Sequence, residues 1–131
     1  MSSRFELQLE RERFTPGDTV AGTTRVLEGG RSRSVEVLLQ YNEETEDYLE
    51  VATSVSSGPL HEGDLTTGTS FEFELALPPD ALPNYQSEHG ELYWDVNVKS
   101  DEFGSDTWER CRINVEPKQR TAPASDPSPR A

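Results

Sequence analysis

Large apolar side chains recur at every second position through much of this sequence. Phe5, Leu7 and Leu9 alternate with Glu6, Gln8 and Glu10; Val35, Val37, Leu39 and Tyr41 alternate with Glu36 and Gln40. Phe71, Phe73, Leu75 and Leu77 do the same against Glu72, Glu74 and Ala76, and Leu92, Trp94, Val96 and Val98 against Tyr93, Asp95 and Asn97. A period of two lines one face of an extended strand, whereas a helix needs a period near 3.6. No stretch of helical period is long enough to compete, so the chain is expected to be built from strands with no substantial helix.

Turn chemistry divides the strands. Thr15-Pro16-Gly17-Asp18 sets up a tight turn, since Pro presets one dihedral and Gly accepts a positive φ. Gly29 and Gly30 open the next connection. The acidic run Asn42 to Asp47 reads as a loop, and Tyr48 to Val55 as a strand with Leu49, Val51 and Val55 on one side, broken by Ser57-Gly58-Pro59. Pro78, Pro79 and Pro83 force an irregular crossing, because proline cannot donate to a ladder. The last strand, Thr107 to Val115, points Cys111, Ile113 and Val115 inward and Arg110 and Arg112 outward.

About seven short strands separated by turns describe an all-β fold of two antiparallel sheets packed face to face, an immunoglobulin-like sandwich. At 131 residues there is room for one domain. Its expected span is 1–116. Residues 117–131, rich in Pro, Ser and Ala, are expected to form a disordered tail.

Charge narrows the partners. Twelve Lys and Arg stand against 25 Asp and Glu, a formal net charge of −13. A field of that sign repels phosphate backbones and anionic headgroups, so nucleic acid is not expected as a partner. No apolar run approaches the roughly 18 residues of a bilayer span, and Met1 to Glu6 lacks a leader's apolar stretch, so neither membrane insertion nor secretion is expected. The single Cys111 permits no internal disulfide, which fits a reducing, cytoplasmic setting.

The segment from Phe14 to Thr23, with Pro16, Gly17, Asp18, Val20 and Gly22, resembles the opening of arrestin-like N-terminal domains. Further features follow in the family's order: strands at Val35 to Tyr41 and Phe71 to Leu77, then Leu77-Pro78, Leu82-Pro83, and His89-Gly90 before Leu92-Tyr93-Trp94. The resemblance covers roughly residues 5–116 and takes in arrestins, retromer cargo subunits and sporulation-control proteins. It implies a single-domain form of an arrestin-like sandwich, acting as adaptor or scaffold without catalysis. Family members generally pair two such sandwiches, and phosphate-sensing arrestins carry lysines near the start, where this chain has Glu6, Glu10 and Glu12. Receptor-type phosphopeptide binding is therefore not implied.

Candidate sites are few. No GxSxG elbow, P-loop or HExxH occurs, so no enzyme and no cofactor is expected. Arg31 and Arg33, in the basic island Gly29 to Ser34, could grip a carboxylate or phosphate, though loop arginines ordinarily lie in water. Glu43, Glu44, Glu46, Asp47 and Glu50 crowd carboxylates that Ca²⁺ favours, without the spacing of an EF-hand; a plain acidic loop is the ordinary reading and a calcium-dependent surface-binding sandwich the alternative. His61, His89 and Cys111 are too scattered for a zinc site. The remaining route is a sheet edge, which offers unpaired amides to a protein partner. The first strand, with Arg4, Glu6, Gln8 and Glu10, is the expected edge. A homodimer that rebuilds the missing second domain is a further possibility.

Overall fold

A computed structural model describes residues 4–104 and 106–117. Nine strands run in order β1 (Phe5–Leu9), β2 (Arg13–Phe14), β3 (Thr19–Val26), β4 (Ser34–Thr45), β5 (Leu49–Glu62), β6 (Ser70–Ala76), β7 (Tyr85–Gln86), β8 (Gly90–Asp101) and β9 (Thr107–Val115). Seven are substantial and two, β2 and β7, are two-residue pieces. No helix occurs among the described residues, and none is therefore long and apolar enough to cross a membrane.

The strands form two sheets, one of order β1-β3-β6 and one of order β2-β9-β8-β4-β5, with β7 attached to β8. All pairings are antiparallel except β2 with β9, where Arg13 and Phe14 run parallel to Asn114 and Val115. The chain is an all-β sandwich in which the alternation seen in the sequence becomes inside and outside. Phe5, Val20, Val35, Val37, Leu39, Phe73, Leu75, Trp94, Val96, Val98, Ile113 and Val115 are buried between the sheets. Cys111 faces the same way but is only half-buried.

Close approach of the backbones explains two glycines. Gly22 pairs with Leu9 on one side and Phe73 on the other, and a Cβ there would collide with the Gln8 carbonyl oxygen and lie 2.9 Å from Phe73 Cζ. At Gly90, opposite Thr45, a Cβ would fall 2.8 Å from the Glu44 carbonyl oxygen. The turn over Thr15–Asp18 closes when the Asp18 amide donates to the Thr15 carbonyl at 3.0 Å. Asp18 Oδ2 accepts from the Thr15 amide at 2.8 Å, and the Gly17 amide donates to Pro78, tying the turn to the proline-rich crossing.

Three expectations are corrected. Asn42 to Thr45 continue β4 instead of looping, so only Glu46 to Tyr48 turn the hairpin. Ser57-Gly58-Pro59 do not break β5; register shifts against Val35, Glu36 and Leu38 absorb extra residues there as bulges, which an edge strand tolerates. Leu49, Val51 and Val55 do not share a face. A further shift at Tyr41/Asn42 leaves Ala52 unmatched, so Leu49 and Val51 pair with Glu44 and Asn42 on the outer face while Val55 pairs with Leu39 toward the core. One extra residue reverses every side chain beyond it. The expected tail beyond Pro117 lies outside the described residues.

Candidate functional site

The larger sheet is wider than the smaller, and its last strand overhangs. Among the described residues β5 has a neighbour only in β4, and Leu49 through Ser54 are exposed at six consecutive positions, so neither face of this stretch is covered by them. Tyr48, Leu49 and Val51 are 46%, 50% and 45% exposed, unusual for side chains of their kind in a strand hairpin. Nearer its C-terminal end β5 rejoins the body, where the His61 ring meets Phe71 with centroids 5.3 Å apart.

Beneath the overhang lies a depression of about 210 Å³ lined by Tyr41, Thr53, Pro78, Asp80, Ala81, Leu82 and Trp94. Thr53 stands on the core side because its partner in the ladder is Tyr41. The floor is the Tyr41–Trp94 pair, with ring centroids 4.9 Å apart. The far wall is the proline-rich crossing, held down by two bonds from the floor: Trp94 Nε1 donates to the Leu82 carbonyl at 2.7 Å, and the Tyr41 hydroxyl to that of Pro83 at 3.3 Å. Asn84 fastens the next step of the crossing, its Nδ2 donating to the Ile113 carbonyl at 2.8 Å. Leu82 itself rises at the rim, 61% exposed. An open ladder edge thus stands over a small apolar trough.

The acidic residues surround the same end of the sandwich. Glu43 faces Glu50 across the hairpin and Glu44 faces Leu49, while Glu46 and Asp47 occupy the turn, whose Thr45 Oγ1 accepts from the Asp47 and Tyr48 amides. Two tyrosines lie beside these carboxylates. Tyr93 donates to Glu44 at 2.9 Å, and its phenol is pushed above the ordinary value by burial first and by that bond second. Tyr48 is also raised, chiefly by the neighbouring Glu43 carboxylate. Among the described residues no group of three or more His, Cys, Asp or Glu side chains is arranged to hold a metal ion.

The first strand is an edge of the smaller sheet, but Arg4 and Glu6 at its start are engaged. Arg4 forms an ion pair with Glu102, donates through Nε to the Glu28 carbonyl at 3.0 Å and reaches the Arg31 carbonyl at 3.3 Å. With its side chain only 14% exposed it is a fastening within the fold instead of a partner-facing group. Glu6 pairs with Arg25 at 3.4 Å, while Gln8 and Glu10 are both exposed. Arg31 and Arg33 are exposed at the opposite end, both packed on Phe103. His61 sits on β5, His89 just ahead of β8 and Cys111 on β9, without convergence.

Sequence reasoning missed the overhang and its trough. A signal was present: from Ala52 to Gly58 only Val55 is larger than threonine, the composition of a strand that fills no core. No such signal marked Leu82, whose place depends on Trp94.

No protein-family model and no curated protein matches this sequence. Among solved structures the chain is similar to Spo0M, the sporulation control protein of Bacillus subtilis, with a TM-score of 0.65 and 21% identity over 88% of this chain. The fold is that of the arrestin-like sandwich. The chain spans half of that protein's length, 50%. A β-glucosidase of Listeria innocua in complex with gluconolactone overlaps more loosely, with a TM-score of 0.35 and 14% identity, covering 86% of this chain and 16% of the enzyme; a likeness that loose carries no argument.

Proposed function

We propose that this chain is a non-enzymatic protein-interaction module that takes up an extended segment of a partner protein along β5. An arrestin-like sandwich supports a regulatory or adaptor role. The observation that carries the reading is the run Leu49 to Ser54, exposed on both faces at an open sheet edge directly above an apolar trough. Added strands gain affinity from main-chain hydrogen bonds and specificity from pockets for alternate side chains. Here the trough over Tyr41 and Trp94 receives one such apolar side chain. The partner's flanking residues are basic, because Asp80 lines the trough and Glu43, Glu46, Asp47 and Glu50 lie on the adjoining hairpin end. Each new main-chain bond contributes only about 0.5–1.5 kcal/mol, so capture is weak and reversible.

Peptides selected from a random library against the full chain test this. Amide shifts should fall on residues 49–55 and on the Trp94 indole, and should vanish when Val51→Lys and Thr53→Lys are combined. Selected peptides that shift β1 or the Arg31–Ser34 loop instead would refute the β5 reading.

A further inference from the structure

Nine Lys and Arg side chains lie among the described residues, and six of them form ion pairs: Arg4, Arg11, Arg13, Arg25, Lys99 and Arg112. In a chain of net charge −13 such pairing is the default. Arg31, Arg33 and Arg110 form none with the described residues, and the first two are held together. The Arg31 Cζ lies 4.6 Å and the Arg33 Cζ 4.3 Å from the centroid of one ring, Phe103. We propose that Arg31 and Arg33, mounted on Phe103, form a binding site for an oxyanion, the chemistry shared by phosphate and carboxylate.

The loop that carries them is built, not loose. The Gly30 amide and carbonyl both bond Leu65. Ser32 is buried, its hydroxyl 2.9 Å from that of Ser100 and its amide donating to Asp64 Oδ1 at 3.2 Å. The Arg33 amide donates to the Asp101 carbonyl at 2.7 Å. Beneath, the Arg4–Glu102 pair joins this loop to the residue preceding Phe103, and Arg4 also bonds the Arg31 carbonyl. The strut that sequence reasoning assigned to a partner thus fixes both loops of the clamp.

Two guanidiniums on one ring repel each other, and the ring replaces part of their water. Both effects are relieved by an anion with two or more oxygens, which accepts hydrogen bonds from both forks. Since both Cζ atoms lie within 4.6 Å of one centroid, an oxyanion at the ring edge is reached by both after rotation of their terminal torsions. A dianion is favoured over a monoanion because it meets two cations. This site stands at the end of the sandwich away from the β5 hairpin turn, and it does not depend on the proposed use of β5.

The test is a titration of the isotope-labelled full chain at constant ionic strength with inorganic phosphate, citrate, acetate and chloride. Arginine Nε–Hε shifts of Arg31 and Arg33 and amide shifts of residues 30–34 and 102–104 should saturate, with phosphate or citrate binding at least about tenfold tighter than acetate. Phosphate ahead of citrate assigns a phosphate source, and the reverse a carboxylate source. Arg31→Gln with Arg33→Gln should abolish saturation; both side chains are exposed, so the fold should persist, as a dispersed amide spectrum will verify. Phe103→Leu should weaken binding about threefold while keeping both charges. Linear shifts, shifts equal to those with chloride, or saturation that survives the double arginine variant would each overturn the proposal.

Discussion

Gly22→Ala reverses the usual sign of a glycine replacement. In an ordinary strand position, alanine stabilises by about 0.5–1 kcal/mol, because the unfolded chain loses freedom. Gly22 is flanked by two strands, and its added methyl would overlap the Gln8 carbonyl oxygen while lying 2.9 Å from Phe73 Cζ and 3.0 Å from Leu9 Cδ2. The Phe73 ring is buried and cannot withdraw, so β1 must retreat from β3, weakening a pairing that runs from Phe5–Val26 to Leu9–Gly22. Overpacking of this kind costs about 1–3 kcal/mol. After the entropic gain is subtracted, the net loss is about 0.5–2 kcal/mol, or roughly 2–8 °C in Tm for a chain of this size. Urea unfolding followed by tryptophan fluorescence measures it, and amide exchange should accelerate first in Phe5–Leu9. A midpoint equal to or above that of the parent chain, at unchanged m, would refute the close-approach argument.

The Cys111 thiol is pushed above its ordinary value, by burial first and then by Glu12, Glu109 and Asp95, so iodoacetamide at pH 8 should modify it more slowly than a free model thiol. Tyr93 and Tyr41 are both raised, chiefly by burial; the folded state then holds protons that the unfolded state has released, so the tyrosines' share of stability should be level below pH 10 and fall as pH rises above it, after a smaller decline that Cys111 begins about one pH unit lower. Urea midpoints from pH 8 to 11 check this, and Tyr93→Phe should flatten the decline. Trp94→Phe removes the bond to the Leu82 carbonyl and leaves unfilled space in a side chain that is 1% exposed, for a loss of about 1–3 kcal/mol in urea unfolding. It should also speed amide exchange in residues 80–84.

Legibility followed the strength of the alternation. Val35 to Tyr41, Phe71 to Ala76 and Leu92 to Val98 could be read directly because each buries one face against a second sheet. β5 could not, since it buries almost nothing along its first half and three register shifts interrupt its rhythm. The acidic residues Glu43 and Glu44 looked like loop because their charge masks a strand that pairs with β8 as far as Thr45. Phe103 carried no pattern at all; only the Arg4–Glu102 pair shows why its ring lies under Arg31 and Arg33.

The sequence alone determined that this chain is strands, where most of them run, and which side chains meet in the middle, because a period of two acts locally on each segment. Which strand would be left without a neighbour, which arginine would be consumed as a strut and which pair would stay free were decided by tertiary structure. Those outcomes depend on sheet order and register between segments distant in the chain, and a single unmatched residue such as Ala52 is enough to turn a face from core to solvent.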